Sequence, residues 1–454
     1  MSALDLTLRE QAAAIASGEV DPAELLDETL ARIEERNPTV NAIVDTFPDE
    51  SRKMLDEGPE GPLRGVPVAI KDEWPLPWRA SLLGSSRPPL VPPGESGPYR
   101  ALRDAGAVIV GVANMHEFGA SSTGAVSAYG ACHNPWDPER CPGGSSSGPG
   151  AAVGARIVAG AVGADGIGSI RYPAAYCGIT GLKPTFRRSA MDGHHLADRT
   201  RTIVSGPLCV DASDCRLLGG VLFGEELAAG DAKGLRIGTV DSPVWSDCDP
   251  EVTATCEEAL DALLGATGGE RSEVGLEGLE HSKLASILVG QTEELHALTP
   301  SRVGALGENV SAVFRALLKY RLLIPGATLE KAKAVRTMLR RSLAEAFERV
   351  DVLAWPTVAA PAPSLENPVV EVPSGTHTAD EINPRQCGIG NLTGIPAISV
   401  PVGIHSSGLP MALQLLGPWG RDEILLDAAE ALERATDRQH VEALPPIAAG
   451  APAA

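Results

Sequence analysis

The sequence predicts a large α/β fold: a central mixed, mostly parallel β-sheet covered by helices. Three observations carry this. Apolar strand-like runs alternate with amphipathic helical ones along 454 residues. Several runs, such as 107–112, are apolar at every position, the pattern of strands buried on both faces of a parallel sheet. Aromatic residues are scarce at 4%, while Gly and Pro number 49 and 37, which fits a loop-rich sheet protein better than a helical array.

The elements follow in order. Asp21, Pro22 and Glu24 supply the N-cap, N1 and N3 positions of a helix. Leu25, Leu26, Thr29, Leu30 and Ile33 share its buried face, and Asn37 ends it. Residues 66–70 form a short strand that delivers Lys71, followed by the acidic pair Asp72 and Glu73. A helix over 99–105 is closed by Gly106, and the buried strand 107–112 comes next. Asn114, His116 and Glu117 follow at its carboxyl end, where open α/β sheets place their active crevice. A small-residue loop (119–124) and a Pro-rich loop (134–142) lead to the apolar run 151–162, read as a strand between two glycine-rich turns. Strands are expected at 235–240, 350–355, 395–400 and 411–416. Helices are expected from Asp249-Pro250, over 328–347 and over 421–436. Residues 358–385 read as an irregular surface excursion near the site. The expected organisation is one domain over 1–443, with N-terminal helices over about 5–60, and a disordered Ala/Pro-rich tail at 444–454.

Composition narrows the function. A net charge of −21 argues against nucleic acid as a direct partner. There is no run of about 18 apolar residues, so no membrane partner is expected. The start, MSALDLTLREQ, lacks the basic and apolar regions of a signal peptide. The eight cysteines form no C-x-x-C pair and read as reduced thiols of a cytoplasmic protein. Asp192, His194, His195 and Asp198 match no closed metal site, and no metal or cofactor is expected.

The chemistry is concentrated in 141–185, which is rich in glycine and holds Ser145, Ser146, Ser147 and Ser169. A flexible linker is a poor reading, because the stretch is embedded between apolar segments. Gly144–Gly148 satisfies G-x-S-x-G with Ser146 as nucleophile, but that elbow needs a strand before it, and NPWDPERCPG cannot form one. A third reading uses two serines. Ser169 lies behind a glycine turn at the start of a short helix, beside free N–H groups suited to an anion. Spacing alone does not identify its base; another serine and a lysine suffice. Lys71, at the end of a buried strand, is such a lysine.

These stretches resemble the amidase signature family of Ser–Ser–Lys hydrolases over about residues 8–434. The matching pieces are GVPVAIKD (65–72), AGAVIVGVANMHEFG (105–119), GGSSSG (143–148), DGIGSIRYPA (165–174), GLKPT (181–185), VDVLAWPT (350–357), NLTGIPAISVPVG and GLPMALQLLG (391–417). The resemblance implies Ser169 as acyl-forming nucleophile, Ser145 as a relay on a cis peptide and Lys71 as general base. It implies an oxyanion hole of backbone N–H groups at Gly166, Ile167 and Gly168. Ser121, Ser122 and Arg336 are the candidate substrate-binding residues. Two features depart from the family pattern. Ile167 replaces a glycine; if that position needs positive φ, either the turn is reshaped or Gly166 takes the unusual dihedral. The Asp of a D-x-x-G-P stretch is missing at Ile203.

The expected function is hydrolysis of a small-molecule carboxamide by an enzyme that works without nucleic acid or membrane, with a homodimer left open. Amide synthesis from the same acyl-enzyme is an alternative. A further one is the glutaminase component of a tRNA-dependent amidotransferase. That class carries an Asp upstream of N-x-x-G-x-P; here Asn383-Pro384 aligns there, with Asp380 nearby.

Overall fold

The computed structural model describes residues 2–86, 92–194, 202–297 and 310–436. The strands among them are β1 (Ile43–Thr46), β2 (Pro67–Lys71), β3 (Val108–Ala113), β4 (Gly160–Asp165), β5 (Thr180–Lys183), β6 (Val204–Cys209), β7 (Arg236–Thr239), β8 (Glu270–Glu273), β9 (Val352–Pro356), β10 (Val369–Val372), β11 (Gly375–Thr378), β12 (Ala397–Ile404) and β13 (Pro410–Leu416). Eleven form one mixed sheet in the order β1-β3-β2-β4-β6-β5-β12-β13-β9-β7-β8. β10 and β11 form a separate hairpin.

Side chains alternate across a strand, so a strand buried on both faces feeds two cores. In β2, Val68 and Ile70 join one core cluster while Ala69 joins another. On the first face lie helices Gly97–Asp104, Ala212–Phe223 and Asp422–Ala435, contributing Leu102, Leu218 and Leu425. On the second lie Pro22–Val40, Ser147–Gly154 and Arg171–Cys177, contributing Leu26, Ala151 and Ala174. Helices therefore cover both faces, as the apolar runs predict.

Strand direction was less legible. β2 runs parallel to β3 and β4, and β7 parallel to β8 and β9. The middle of the sheet, from β4 through β6, β5, β12 and β13 to β9, is antiparallel. An apolar run reports burial on two faces, and an antiparallel strand under two helical layers meets that condition equally well.

Three boundaries differ from expectation. The helix that starts at Pro22 passes Asn37 and ends at Val40, with Asn41 in the left-handed region at φ 48°. The run 151–162 is not one strand. Its first part completes the helix Ser147–Gly154, and β4 starts only at Gly160. The 358–385 stretch carries the β10–β11 hairpin and the start of helix Ala379–Thr393, whose capping box pairs Thr378 with Glu381. The expected tail at 444–454 lies outside the described residues. Among the described residues, no helix is long and apolar enough to cross a membrane.

Candidate active site

Parallel pairing sets the stage. Ile70 of β2 is in register with Val162 of β4, so Lys71 and Asp165 end neighbouring strands at the same edge. The loop after β3 brings Ser145 to that edge. The Gly144 N–H donates to Ser122 O at 2.7 Å, and the His116 N–H to Ser145 O at 3.1 Å. The Gly144–Ser145 peptide is cis. Lys71 is 1% exposed, and its Nζ donates to Ser145 Oγ at 2.9 Å.

Ser146 joins the two glycine turns. Its N–H donates to Ser169 O at 3.2 Å, and its hydroxyl donates to Ala164 O at 3.0 Å while accepting from Ala164 N–H at 3.2 Å. The middle serine of GGSSSG is thus a brace between turns.

The turn after β4 is built around Asp165. Its carboxylate accepts from Gly168 N–H at 2.6 Å, Ile170 N–H at 3.2 Å and Arg171 Nε at 3.1 Å. Burial alone would push this carboxyl up; the Arg171 guanidinium outweighs that and holds it below the usual range. Arg171 Nη2 donates to Asn391 Oδ1 at 2.6 Å, and Asn391 Nδ2 returns a bond to Asp165 O at 2.9 Å. Gly168 takes the unusual dihedral, at φ 128°, so of the two alternatives the turn is reshaped and Gly166 does not take the unusual dihedral. Ile167 is not in the positive-φ region. Its side chain lies near Gly290, on helix Leu279–Ala297, and Gly388, on helix Ala379–Thr393. Committing the Gly168 N–H to Asp165 takes it out of the expected oxyanion set. Among the described residues, the N–H groups of Gly166 and Ile167 have no acceptor.

A cavity of about 630 Å³ opens over this edge, lined by Lys71, Ser145, Ser169, Gly166 and Ile167. Ser121 and Ser122 line it too. Both donate to Asp380, Ser122 through its N–H and its hydroxyl, each at 2.7 Å to Oδ1. Arg336 is not among the lining residues. Its helix, Gly326–Ala346, turns Ala332, Leu339 and Leu343 to the main core instead. Among the described residues, the arginine that lines the cavity is Arg321, 4% exposed, on helix Ala312–Leu322. His116 lines it as well. Burial pulls its imidazole down to about 4; the Asp380 charge opposes this, and the Lys71 charge adds to it.

Sequence reasoning placed His116 at the active edge and Glu73 beside Lys71 without giving either a chemical role, and did not single out Arg321. Their signal was position: two flank strand ends at the active edge, and Arg321 falls in the helix covering it. Of the histidine loop weighed as a metal site, Asp192 pairs with Arg100 and His194 with Glu73. His195 and Asp198 lie outside the described residues. Among those described, no group of three or more His, Cys, Asp or Glu could hold a metal ion.

Fold and cavity define a class: an α/β protein with a lysine–serine contact and a second serine in one pocket at the carboxyl edge of parallel strands. The Amidase family model matches residues 24–426, and the chain belongs to that family of enzymes. It is 32% identical to a glutamyl-tRNA(Gln) amidotransferase subunit from Geobacter metallireducens, over 96% of this chain and 98% of that one. Identity to the protein of the same name from Geobacter sulfurreducens is 34%, over 96% and 98%. A solved amidase structure superposes with a TM-score of 0.88 at 29% identity, covering 95% of this chain and all of that one. These relatives overturn the expectation that nucleic acid has no part, since they are named as one component of an amidotransferase for glutamyl-tRNA. Net charge reports on one chain's surface and does not exclude a place in such an assembly.

Proposed function

We propose that this chain cleaves a carboxamide C–N bond through an acyl-enzyme on Ser169, with Ser145 as relay and Lys71 as general base. The observation that carries this reading is the 2.9 Å contact of Lys71 Nζ with Ser145 Oγ in the cavity that Ser169 lines. Ser169 Oγ attacks the carbonyl carbon; its proton passes to Ser145 as Ser145 passes its own toward Lys71. The oxyanion forms beside the N–H groups of Gly166 and Ile167, each worth about 10²–10³ in rate. The relay then runs backward to protonate the leaving nitrogen, and water repeats the sequence to release the acid.

Among the possible fates of the acyl group and the ammonia, the relatives favour an ammonia-supplying component of a tRNA-dependent amidotransferase. Asp380 supports a substrate that carries an amino group. It lies one helical turn before Pro384, on the same face, and both line the cavity. Arg321 supplies the opposite charge for a substrate carboxylate.

Ammonia release from L-glutamine and from neutral primary amides tests this. Glutamine is the expected better substrate, Ser169→Ala abolishes release, and Asp380→Ala raises the glutamine KM about tenfold or more with less effect on kcat. Preference for neutral amides, unchanged in Asp380→Ala, assigns a substrate without the amino group.

A further inference from the structure

Lys71 has a second buried partner. Its Nζ lies 2.7 Å from Glu73 Oε2, and Glu73 Oε1 lies 2.7 Å from His194 Nε2. Glu73 and His194 are each 5% exposed. The Trp74 ring packs on the imidazole with centroids 5.2 Å apart. Lys71 therefore stands between a hydroxyl it must take a proton from and a carboxylate within reach of one of its own protons.

We infer that Glu73, held by His194, is a further arm of the proton relay: it takes a proton from the Lys71 ammonium and so frees the Nζ lone pair that Ser145 needs. The inference rests on the reading of Ser169, Ser145 and Lys71 given above. Nζ first gives a proton to Glu73 Oε2, and the amine so formed accepts the proton of Ser145. Lys71 ends the step as an ammonium and Glu73 as a carboxylic acid. When the leaving nitrogen needs a proton, the transfers reverse: Ser145 to the nitrogen, Lys71 to Ser145, and then Glu73 to Lys71. His194 fixes Oε1 and so turns Oε2 toward the lysine. Glu73 and His194 act through Lys71 and are positioning residues.

Other titratable groups share this surrounding. His116 and Glu117, from the segment after β3, line the cavity, as do Asp380, Glu366 and Arg321 from elements across it. Asp72, next to Lys71, is held by Arg79 at 2.6 Å, and Asp192, near His194, by Arg100 at 2.6 Å.

The test needs no known substrate. The rate at which a fluorophosphonate labels Ser169 is followed by intact mass from pH about 6 to about 10 in wild type, Glu73→Gln, His194→Gln and His194→Phe. Glu73→Gln is expected to label about 10²-fold more slowly near neutral pH. It recovers as pH approaches about 10, where a lysine without an anion loses its proton directly. His194→Gln keeps a donor for Glu73 and stays near the wild-type rate; His194→Phe slows. Glu73→Gln labelling as fast as wild type or faster near neutral pH overturns the inference. Should Glu73→Gln not fold, equal rates in His194→Gln and His194→Phe overturn it instead. A wild type that takes no label on Ser169 defeats the underlying reading, whatever the variants do.

Discussion

Arg171 Nε donates to Asp165 Oδ2 at 3.1 Å with both side chains fully buried. The pair holds the turn that ends in Ser169, because the same carboxylate takes the N–H groups of Gly168 and Ile170. Removing one member of a buried pair strands the other charge. Arg171→Met is expected to cost about 3–5 kcal/mol in chemical denaturation. A loss below about 1 kcal/mol would mean that the backbone N–H groups alone hold Asp165. The Asp165 carboxyl is held low in the folded state, so its contribution is complete above the unfolded Asp value of about 3.9 and is lost as pH falls through the folded one.

Two glycines of one turn are predicted to differ. A Cβ on Gly168 would lie 2.2 Å from Tyr172 Cζ, at φ 128°. A Cβ on Gly166 meets nothing closer than Ile203 Cγ1 at 3.2 Å, and that side chain can shift. Gly168→Ala is therefore expected to lower the melting temperature and remove activity, while Gly166→Ala keeps the fold. Equal melting temperatures for the two variants contradict this geometry.

His116 gives the protein a stability step in mild acid. Its folded value of about 4 lies below the ordinary histidine value of about 6.5, so the unfolded chain binds the proton first as pH falls. The contribution is intact above about pH 6.5 and is lost toward pH 4, a change on the order of 3 kcal/mol. Denaturation midpoints across that window should flatten in His116→Gln; an unchanged slope assigns the step to other groups.

The fold was legible because burial leaves a pattern. Asp21-Pro22 and Asp249-Pro250 do cap their helices, and the apolar runs do line two cores. The direction of the central strands was not legible, since burial does not depend on it. The meeting of Lys71, Ser145 and Ser169 at one cavity was legible in the motifs that carry them. The site was not legible where a charge reaches the cavity from a distant segment. Asp380 joins Ser121 and Ser122 across more than 250 residues, and no local pattern encodes that. Arg336 was a candidate only by its place on a long helix, and it is not among the residues that line the cavity. Whether the Ile167 position needs positive φ could not be read from the motif; it does not, because Gly168 takes that dihedral.

The central claim is that Ser169 is the nucleophile and that Lys71 activates it through Ser145. Its most direct measurement is the mass of the protein after treatment with a fluorophosphonate, with the modified residue located by peptide mapping. One adduct on Ser169 is predicted in the wild type, none in Ser169→Ala, and labelling at least about 10²-fold slower in Lys71→Ala and Ser145→Ala. An adduct that persists in Ser169→Ala, or one that forms at the wild-type rate without Lys71, would contradict the account.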